Sequence, residues 1–216
     1  MKLYTYWRSS SAYRVRIALG LKGLNYEPSF VHLVRGGGEQ HAASFQSKNP
    51  LGQIPVLELP SESGDGPVFL AQSLAIIEYL DERYPTPPLL PKGLVARARA
   101  RELAQLIGSG IQPFHNTGTA NYLCQVAPLV DKQSWNQHFI NAGLQALETR
   151  ASELSGRFLV GDELSIADVL LVPQLYASRR FAAPLDAFPT LLRVEAECLA
   201  LDGFATAHPD RQPDRE

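Results

Sequence analysis

The spacing of apolar residues predicts short strands and helices over about the first eighty residues of the chain. Runs rich in β-branched and aromatic residues predict strands, and apolar residues spaced three or four positions apart predict helices. The predicted strands cover 2–7, 26–34, 53–59 and 68–70, and the predicted helices cover 12–19, 40–46 and 73–84. Pro28 marks the second strand as an edge strand or as its beginning, and a polar turn at 61–66 joins the last two strands.

The second half of the chain has helical periodicity and no convincing strand pattern. Crowded prolines cannot all lie inside one element, so residues 85–91 are predicted to link a domain at 1–84 to an all-helical domain at 92–216. Helices are predicted over 94–124 with an interruption near Pro113, and over 132–155, 165–178 and 190–200. The polar segment 209–216 is expected to be loose. The fold class is therefore an α/β domain followed by an all-α domain.

Composition and charge exclude several classes of partner. The 216 residues carry a formal net charge of -2, and the pI is about 6.2, so neither nucleic acid nor an anionic membrane is an expected partner. No apolar window reaches the length of a membrane span, and arginines interrupt any signal-peptide core. The two cysteines are far apart and the five histidines lack metal-binding spacing, so no disulfide and no metal is expected. A reducing cytoplasm fits that cysteine count.

Three consecutive serines, Ser9, Ser10 and Ser11, occupy the turn from the first strand into the first helix. One serine is enough to cap a helix, which leaves two without a structural explanation. A helix N-terminus also favours an anion, including a thiolate whose pKa must be lowered, and a serine hydroxyl can donate to that sulfur. Because no cysteine is nearby, the thiolate would come from a bound thiol.

Two further segments allow both a structural and a functional interpretation. Pro55 stands at the start of a strand that should be central, where an ordinary trans proline is the common case. A cis Ile54–Pro55 bond would instead leave the Ile54 backbone free for an extended, peptide-like ligand. Gln72 and Ser73 open the next helix, where Ser73 can act as N-cap and can also present donors to a ligand carboxylate.

The remaining motifs lie in the second half or beside the serines. Ser165 and Asp168 fit the capping-box pattern ahead of an apolar run, and we assign them a structural role. Arginine side chains are mostly solvated at the protein surface, and the simplest prediction for Arg8, Arg179 and Arg180 is therefore a surface position. One arginine from each half could instead hold a dianionic substrate, and spacing alone leaves both interpretations open.

Together, these motifs resemble the zeta class of the glutathione transferases over almost the whole chain. The matching stretches include W-R-S-S-S-A-Y-R-V-R-I-A-L-G-L-K-G, N-P-L-G-Q-I-P-V-L, Q-S-L-A-I-I-E-Y-L, S-G-I-Q-P, G-D-E-L-S-I-A-D-V-L-L-V-P-Q and H-P-D-R-Q-P-D. The resemblance implies a thioredoxin-like, glutathione-binding domain at 1–84, an all-helical substrate-binding domain at 92–216, and a homodimer.

The resemblance also implies a role for individual residues. Ser9 and Ser10 match the serines beside the glutathione sulfur, and Arg8 and Arg180 match positions suited to the substrate carboxylates, so these four are the implied catalytic residues. Ile54 acts through its backbone before a cis proline. The implied glutathione-binding residues are Ser10, Ser11, Gln40, Ile54, Pro55, Gln72, Ser73, Gln112 and Asn116, the last two lining the site from the helical domain.

One position departs from the family pattern, because Ser11 stands where the usual S-S-C triplet has a cysteine. Glutathione brings its own sulfur, so the implied activity does not require that cysteine. This activity is the glutathione-dependent isomerisation of maleylacetoacetate to fumarylacetoacetate in tyrosine and phenylalanine catabolism. The alternatives are isomerisation of maleylpyruvate, conjugation of glutathione to small electrophilic acids, and a non-enzymatic thioredoxin-like binding protein. Maleylpyruvate isomerases are expected to have additional basic residues after the I-x-P stretch, whereas this chain has Phe114-His115-Asn116-Thr117-Gly118, which favours maleylacetoacetate.

Overall fold

The computed structural model describes residues 1–61, 64 and 66–216. Part of the predicted polar turn, residues 62, 63 and 65, lies outside these described residues. The strands are β1 Lys2–Thr5, β2 Glu27–Phe30, β3 Val56–Leu59 and β4 Val68–Ala71. The α-helices are α1 Ser10–Leu21, α2 Ala43–Gln46, α3 Ser73–Arg83, α4 Leu94–Gln105, α5 Thr117–Val126, α6 Lys132–Leu154, α7 Ile166–Arg180, α8 Pro189–Leu199 and α9 Asp202–Ala207. Turns of 3-10 helix include Glu39–His41, Gln112–His115 and Pro209–Arg211, and Leu106–Ile111 is π-helical.

The chain forms two compact units. The first contains Met1–Pro87 together with Leu201–Glu216, and the second contains Pro88–Ala200. The change from one unit to the other falls within the predicted linker at 85–91. The sequence placed residues 201–216 in the helical domain, whereas the structure groups them with the first unit because α9 packs on α1.

The strands form one mixed sheet in the order β2-β1-β3-β4, which confirms the α/β class of the first half. β1 and β2 are parallel, and β3 runs antiparallel to both β1 and β4. Pro28 lies in β2, an edge strand, as predicted, although β2 is shorter than expected. Val56 at the start of β3 lies opposite Tyr4 and Ala71, and Thr5 lies opposite Phe30. The carboxyl ends of β1, β2 and β4 and the amino end of β3 therefore share one edge, the carboxyl edge.

Helix α1 differs from the amphipathic helix that the sequence predicted. Every residue from Ala12 to Leu19 is buried, and Arg14 and Arg16 are each only 2% exposed. The reason is that α3 and α9 both pack against α1. The contact with α9 is close, because a Cβ added to Gly203 would lie 2.7 Å from the backbone nitrogen of Leu21.

The predicted capping role of Ser73 is wrong. Gln72 is the N-cap of α3, with a positive φ of 71°, and its side chain makes no capping hydrogen bond. Ser73 is the first helical residue, and its Oγ accepts a hydrogen bond from Arg14 Nη1 at 3.2 Å. The serine faces a buried guanidinium and does not close the helix end.

The second unit is built from α4–α8, which confirms the all-helical prediction for this region. The long predicted helix at 94–124 is interrupted near Pro113 by π and 3-10 turns, as expected. The capping box before α7 is also confirmed, since Ser165 N–H donates to Asp168 Oδ2 at 2.8 Å and Ser165 Oγ accepts from Ala167 N–H at 3.3 Å.

The terminal segment 209–216, whose polar composition predicts a loose end, makes specific contacts within the first unit. Asp214 Oδ2 accepts from Trp7 N–H at 2.8 Å, and Glu216 pairs with His32 and Arg35. The expectation was wrong because polar and ionic bonds, rather than apolar burial, fix this segment.

Candidate glutathione site

The carboxyl edge gathers four of the segments that the sequence singled out. The serine turn leaves β1, the segment containing Gln40 follows β2, the Ile54–Pro55 pair enters β3, and Gln72–Ser73 leaves β4. In open α/β sheets, ligands bind outside the carboxyl ends of the strands. The register of this sheet thus brings together residues that are up to 64 positions apart in the chain, from Ser9 to Ser73.

The serine turn places hydroxyls and backbone N–H groups at the start of α1. Ser9 is the N-cap, with extended backbone angles, and its Oγ accepts from Ala12 N–H at 3.2 Å. Its hydroxyl hydrogen remains available as a donor. Ser10 and Ser11 begin the helix and are half-buried. This end of α1 combines the positive pole of the helix with hydroxyl donors, which suits a thiolate.

The backbone of this turn is held by a buried arginine, Arg16, to which the sequence motifs assign no role. Arg16 Nη1 donates to the carbonyl of Tyr6 at 3.3 Å, and its Nη2 donates to the carbonyl of Trp7 at 2.8 Å. Its Nε donates to the carbonyl of Ala207 in α9 at 3.2 Å. Arg14 and Arg16 lie about 200° apart around a helix, so both cannot face solvent on a helix that packs against a core. That spacing was the available signal.

Arg8 lies in the turn beside two aromatic rings. Its Cζ is 5.8 Å from the centroid of the Tyr6 ring and 5.4 Å from that of Trp7. Cation–π contacts of this kind restrain a guanidinium without using its hydrogen-bond donors. The donors of Arg8 can therefore serve an anionic ligand.

The Ile54–Pro55 peptide bond is cis, as the resemblance implied. Ile54 is buried in a cluster with Tyr6, Ala12 and Val56, which places this bond next to the serine turn. The β3 ladder begins only at Val56, so the Ile54 backbone lies outside it. An extended peptide can pair with that backbone.

Gln40 is a buried side chain with an unfilled hydrogen-bond position. Its Nε2 lies 3.4 Å from the carbonyl of Leu33 and 3.1 Å from His41 Nε2, but its Oε1 has no partner among the described residues. Gly38 adopts a φ of +105°, and a Cβ there would come within 2.6 Å of the Gln40 amide. The glycine thus leaves room for the side chain, and a ligand N–H group would satisfy Oε1.

Three predicted residues belong to the second unit. Gln112 begins the 3-10 turn that ends at His115, and Asn116 caps α5 through its side-chain oxygen. Arg180 ends α7, with its Cζ 4.8 Å from the centroid of the Phe181 ring. The rings of His115 and Phe181 are 5.2 Å apart, so this contact brings the start of α5 close to the end of α7.

The neighbouring arginine has a different role. Arg179 forms a two-pronged ion pair with Glu195, in which Nη1 and Oε1 are 2.6 Å apart. Hydrogen bonding to Glu195 raises the pKa of Arg179, which keeps it in the paired, charged form. The structure therefore gives Arg179 a packing role between α7 and α8.

The donor set of the first unit fits a small peptide thiol with carboxylate groups. The amino ends of α1 and α3 supply backbone N–H groups, Ile54 offers a backbone that precedes the β3 ladder, and Gln40 supplies a buried acceptor. In the described part of the chain, no cluster of three His, Cys, Asp or Glu side chains is arranged to hold a metal ion. Of the helices described, none is both long and apolar enough to cross a membrane.

Comparisons with known proteins agree with this fold. Residues 3–88 match the model of the glutathione S-transferase N-terminal domain, and residues 136–202 match that of the C-terminal domain. A maleylacetoacetate isomerase of Pseudomonas aeruginosa is 46% identical over 215 residues, covering 99% of this chain and 98% of that protein. The chain belongs to the glutathione S-transferase family.

Two solved structures indicate to which class of the family this chain belongs. A maleylacetoacetate isomerase of Anaeromyxobacter dehalogenans, with glutathione bound in its active site, is 49% identical with a TM-score of 0.89, covering 100% of this chain and 97% of that one. A maleylpyruvate isomerase described as a bacterial zeta-class transferase is 39% identical with a TM-score of 0.92, and both chains are fully covered. The protein is thus a zeta-class member of the family, as its motifs predicted.

Proposed function

We propose that the protein is a glutathione-dependent cis–trans isomerase that converts maleylacetoacetate to fumarylacetoacetate, a step in the catabolism of tyrosine and phenylalanine. The observation that carries this proposal is the carboxyl edge, where a capped helix N-terminus, a cis proline and a buried, unpaired Gln40 oxygen lie together. Full-length relatives that bear the name maleylacetoacetate isomerase support the choice of reaction.

Bound glutathione supplies a thiolate, which can add reversibly to the cis double bond and so allow rotation about it. The first unit provides the thiolate's environment. The Ser9 or Ser10 hydroxyl donates to the sulfur, and the positive end of α1 lowers the pKa of the thiol. Residues 1–84 thereby form the glutathione-binding domain, with Ser11, Gln40, Ile54, Pro55, Gln72 and Ser73 as further contacts.

The helical domain contributes the substrate side of the site. Gln112 and Asn116 line it, and Arg180 together with Arg8 binds the carboxylates of the dianionic substrate and offsets the charge that develops on its enolate. The cation–π contacts of Arg8 with Tyr6 and Trp7 restrain its side chain without using its N–H donors, and Arg180 stacks on the Phe181 ring.

The test is a coupled assay with maleylacetoacetate, run with and without glutathione. We expect turnover only when glutathione is present and glutathione recovered unchanged at the end. An enzyme that consumes glutathione while acting on a halogenated acid, without isomerising maleylacetoacetate, would instead be a conjugating transferase. A protein that neither binds glutathione nor turns over either substrate would be a non-enzymatic member of the fold.

Maleylpyruvate is the second candidate substrate, because a maleylpyruvate isomerase has the same fold with a TM-score of 0.92. Both substrates are cis dicarboxylates, and the proposed roles of Arg8 and Arg180 apply to either of them. Measuring kcat/KM for the two in parallel separates the candidates. We expect the larger value for maleylacetoacetate, because residues 114–118 contain no lysine or arginine that would favour the smaller, more acidic substrate.

We further propose that the protein is a cytoplasmic homodimer. The free Cys124 and Cys198 fit a reducing compartment. Light scattering during gel filtration tests the dimer, since the mass expected is twice the 23.8 kDa of one chain. Fractionation of the cells that produce the protein tests the compartment.

A further inference from the structure

A buried arginine beside the amino end of α3 lacks the partners that a buried charge needs. Arg14 is 2% exposed, and its Nη1 donates to Ser73 Oγ at 3.2 Å. Its Nε and Nη2 have no hydrogen-bond partner in the parts of the chain that the structure describes. Burial lowers the pKa of Arg14 to about 10, which leaves it charged at neutral pH.

Such an arrangement is costly for a folded protein. A buried charge is tolerated when a counterion and hydrogen bonds compensate it, and an apolar residue of similar volume is often more stabilising than an uncompensated ion. Two nitrogens of Arg14 lack this compensation. A ligand can supply the missing negative charge.

The position of Arg14 indicates where that charge binds. α3 has 11 residues, and its first N–H groups receive no side-chain cap, because Gln72 provides none. The positive end of this helix therefore lies beside a buried guanidinium, which is hydrogen-bonded to the Ser73 hydroxyl, and Ser73 follows β4 at the carboxyl edge. Both features favour an anion at this end of α3.

We propose that Arg14 is a positioning residue that orients the Ser73 hydroxyl and adds positive charge for one carboxylate of glutathione at the amino end of α3. This inference rests on the proposed function, because it assumes that glutathione is the ligand. Arg14 acts through Ser73: the Nη1 bond occupies a lone pair of Oγ and thereby directs the hydroxyl hydrogen away from α1 and towards the ligand.

The first experiment replaces Arg14 with an uncharged side chain of similar length. Arg14→Met should weaken glutathione binding, measured by calorimetry, by about 10- to 100-fold, as expected for losing a hydrogen bond to a charged group. Its Tm should stay unchanged or rise, because an uncompensated charge is removed. Arg83→Met, at the exposed end of the same helix, is the matched control and should change neither quantity.

A merely structural arginine gives the opposite result. In that case Arg14→Met would lower Tm and leave the affinity of the folded protein for glutathione unchanged, which overturns the proposal. If Arg14→Met does not fold, Arg14→Lys provides the test, because it keeps the charge but loses the planar fork. We expect it to raise KM for glutathione with kcat little changed, and an unaltered KM in this variant would also overturn the proposal.

Two glutathione analogues identify the carboxylate. In one, 4-aminobutyrate replaces the γ-glutamyl residue and removes its α-carboxylate; in the other, the glycine carboxylate is an amide. For one of them, the loss of affinity relative to glutathione should be large in the wild-type protein and small in Arg14→Met. Equal losses in both proteins for both analogues would overturn this inference alone. Failure of the wild-type protein to bind glutathione would overturn the proposed function as well.

Discussion

Ser9 combines a structural contact with a proposed catalytic one in a single hydroxyl. Its oxygen accepts from Ala12 N–H, which satisfies one of the unpaired N–H groups at the start of α1. Accepting this bond polarises the hydroxyl and makes its hydrogen a better donor to a sulfur anion. Ser10 lies inside the helix and is not part of this cap.

We therefore expect Ser9→Ala and Ser10→Ala to differ. Ser9→Ala should lower the free energy of unfolding by about 1 kcal/mol through loss of the cap. It should also raise the apparent thiol pKa in the pH profile of kcat/KM by about one to two units, as expected for a lost hydrogen bond to a charged group. Ser10→Ala should leave the cap intact and shift that pKa less. If neither variant lowers the rate, the proposed environment of the thiolate is wrong.

A second single residue, Asp168, makes the free energy of unfolding depend on pH. Burial raises the pKa of its carboxyl to about 6 from 3.8, although hydrogen bonds from Leu159 and Ser165 oppose the shift. Between those pH values the folded state binds a proton that the unfolded state lacks. The contribution of Asp168 to the free energy of unfolding therefore falls by up to about 3 kcal/mol as the pH rises from about 4 to about 6.

Urea unfolding of the wild-type protein and Asp168→Asn at a series of pH values tests this titration. The difference in unfolding free energy, wild type minus variant, should decrease through that window and stay level above it. A difference that is constant between pH 4 and pH 6 would contradict the raised pKa.

At the scale of elements, the sequence predicted most of the molecule because hydrophobic periodicity determines which face of an element is covered. The sheet, the capping box and the interruption near Pro113 follow from such local patterns. Helix α1 did not, because its second covering helix, α9, begins more than 180 residues later, at Asp202. The burial of Arg14 and Arg16 depends on that distant packing.

The site was predictable to a similar extent. Motifs marked the four segments at the carboxyl edge, and the sheet register brings them together. Asp214 was missed because a carboxylate that binds a backbone N–H group of Trp7 leaves no periodic signal. The N-cap of α3 was misassigned because the left-handed backbone of Gln72 cannot be read from residue type.

The contact between α1 and α9 gives an element-scale prediction. A Cβ at Gly203 would lie 2.7 Å from the nitrogen and 3.0 Å from the Cα of Leu21, so Gly203→Ala must displace α9. We expect a loss of about 1–3 kcal/mol in the free energy of unfolding and reduced activity, because Arg16 is hydrogen-bonded to α9. Gly110→Ala, which meets no atom within 4 Å, is the control and should leave both quantities unchanged. Equal behaviour of the two variants would contradict the close approach.

At the scale of the whole molecule, the first unit is discontinuous in sequence. Residues 201–216 return to it after the entire second unit. Their Ala207 carbonyl accepts from Arg16, which holds the serine turn, and their Asp214 carboxylate accepts from Trp7 just before it. The turn that we propose as catalytic is therefore held from both ends of the chain. A truncation outside the predicted first domain should still damage that turn.

Asp214→Ala provides the specific test. It leaves Trp7 N–H without its acceptor and should lower kcat on the order of tenfold, the effect of an unsatisfied donor next to the site. Asp214→Asn keeps an oxygen acceptor and should restore most of the activity. Asp210→Ala, an exposed acid in the same segment, is the control and should retain full activity. Loss of activity in Asp210→Ala alone would contradict the role of Asp214.

The discontinuous first unit also has a consequence for biosynthesis. A ribosome releases residues 1–87 first, and domains generally fold in the order of synthesis. Here Arg16 and Trp7 must wait for partners at positions 207 and 214, which are translated after all of Pro88–Ala200. The helical unit can consequently fold on the nascent chain while the serine turn between β1 and α1 still lacks these two contacts. The turn is therefore completed only after residues 201–216 have been made.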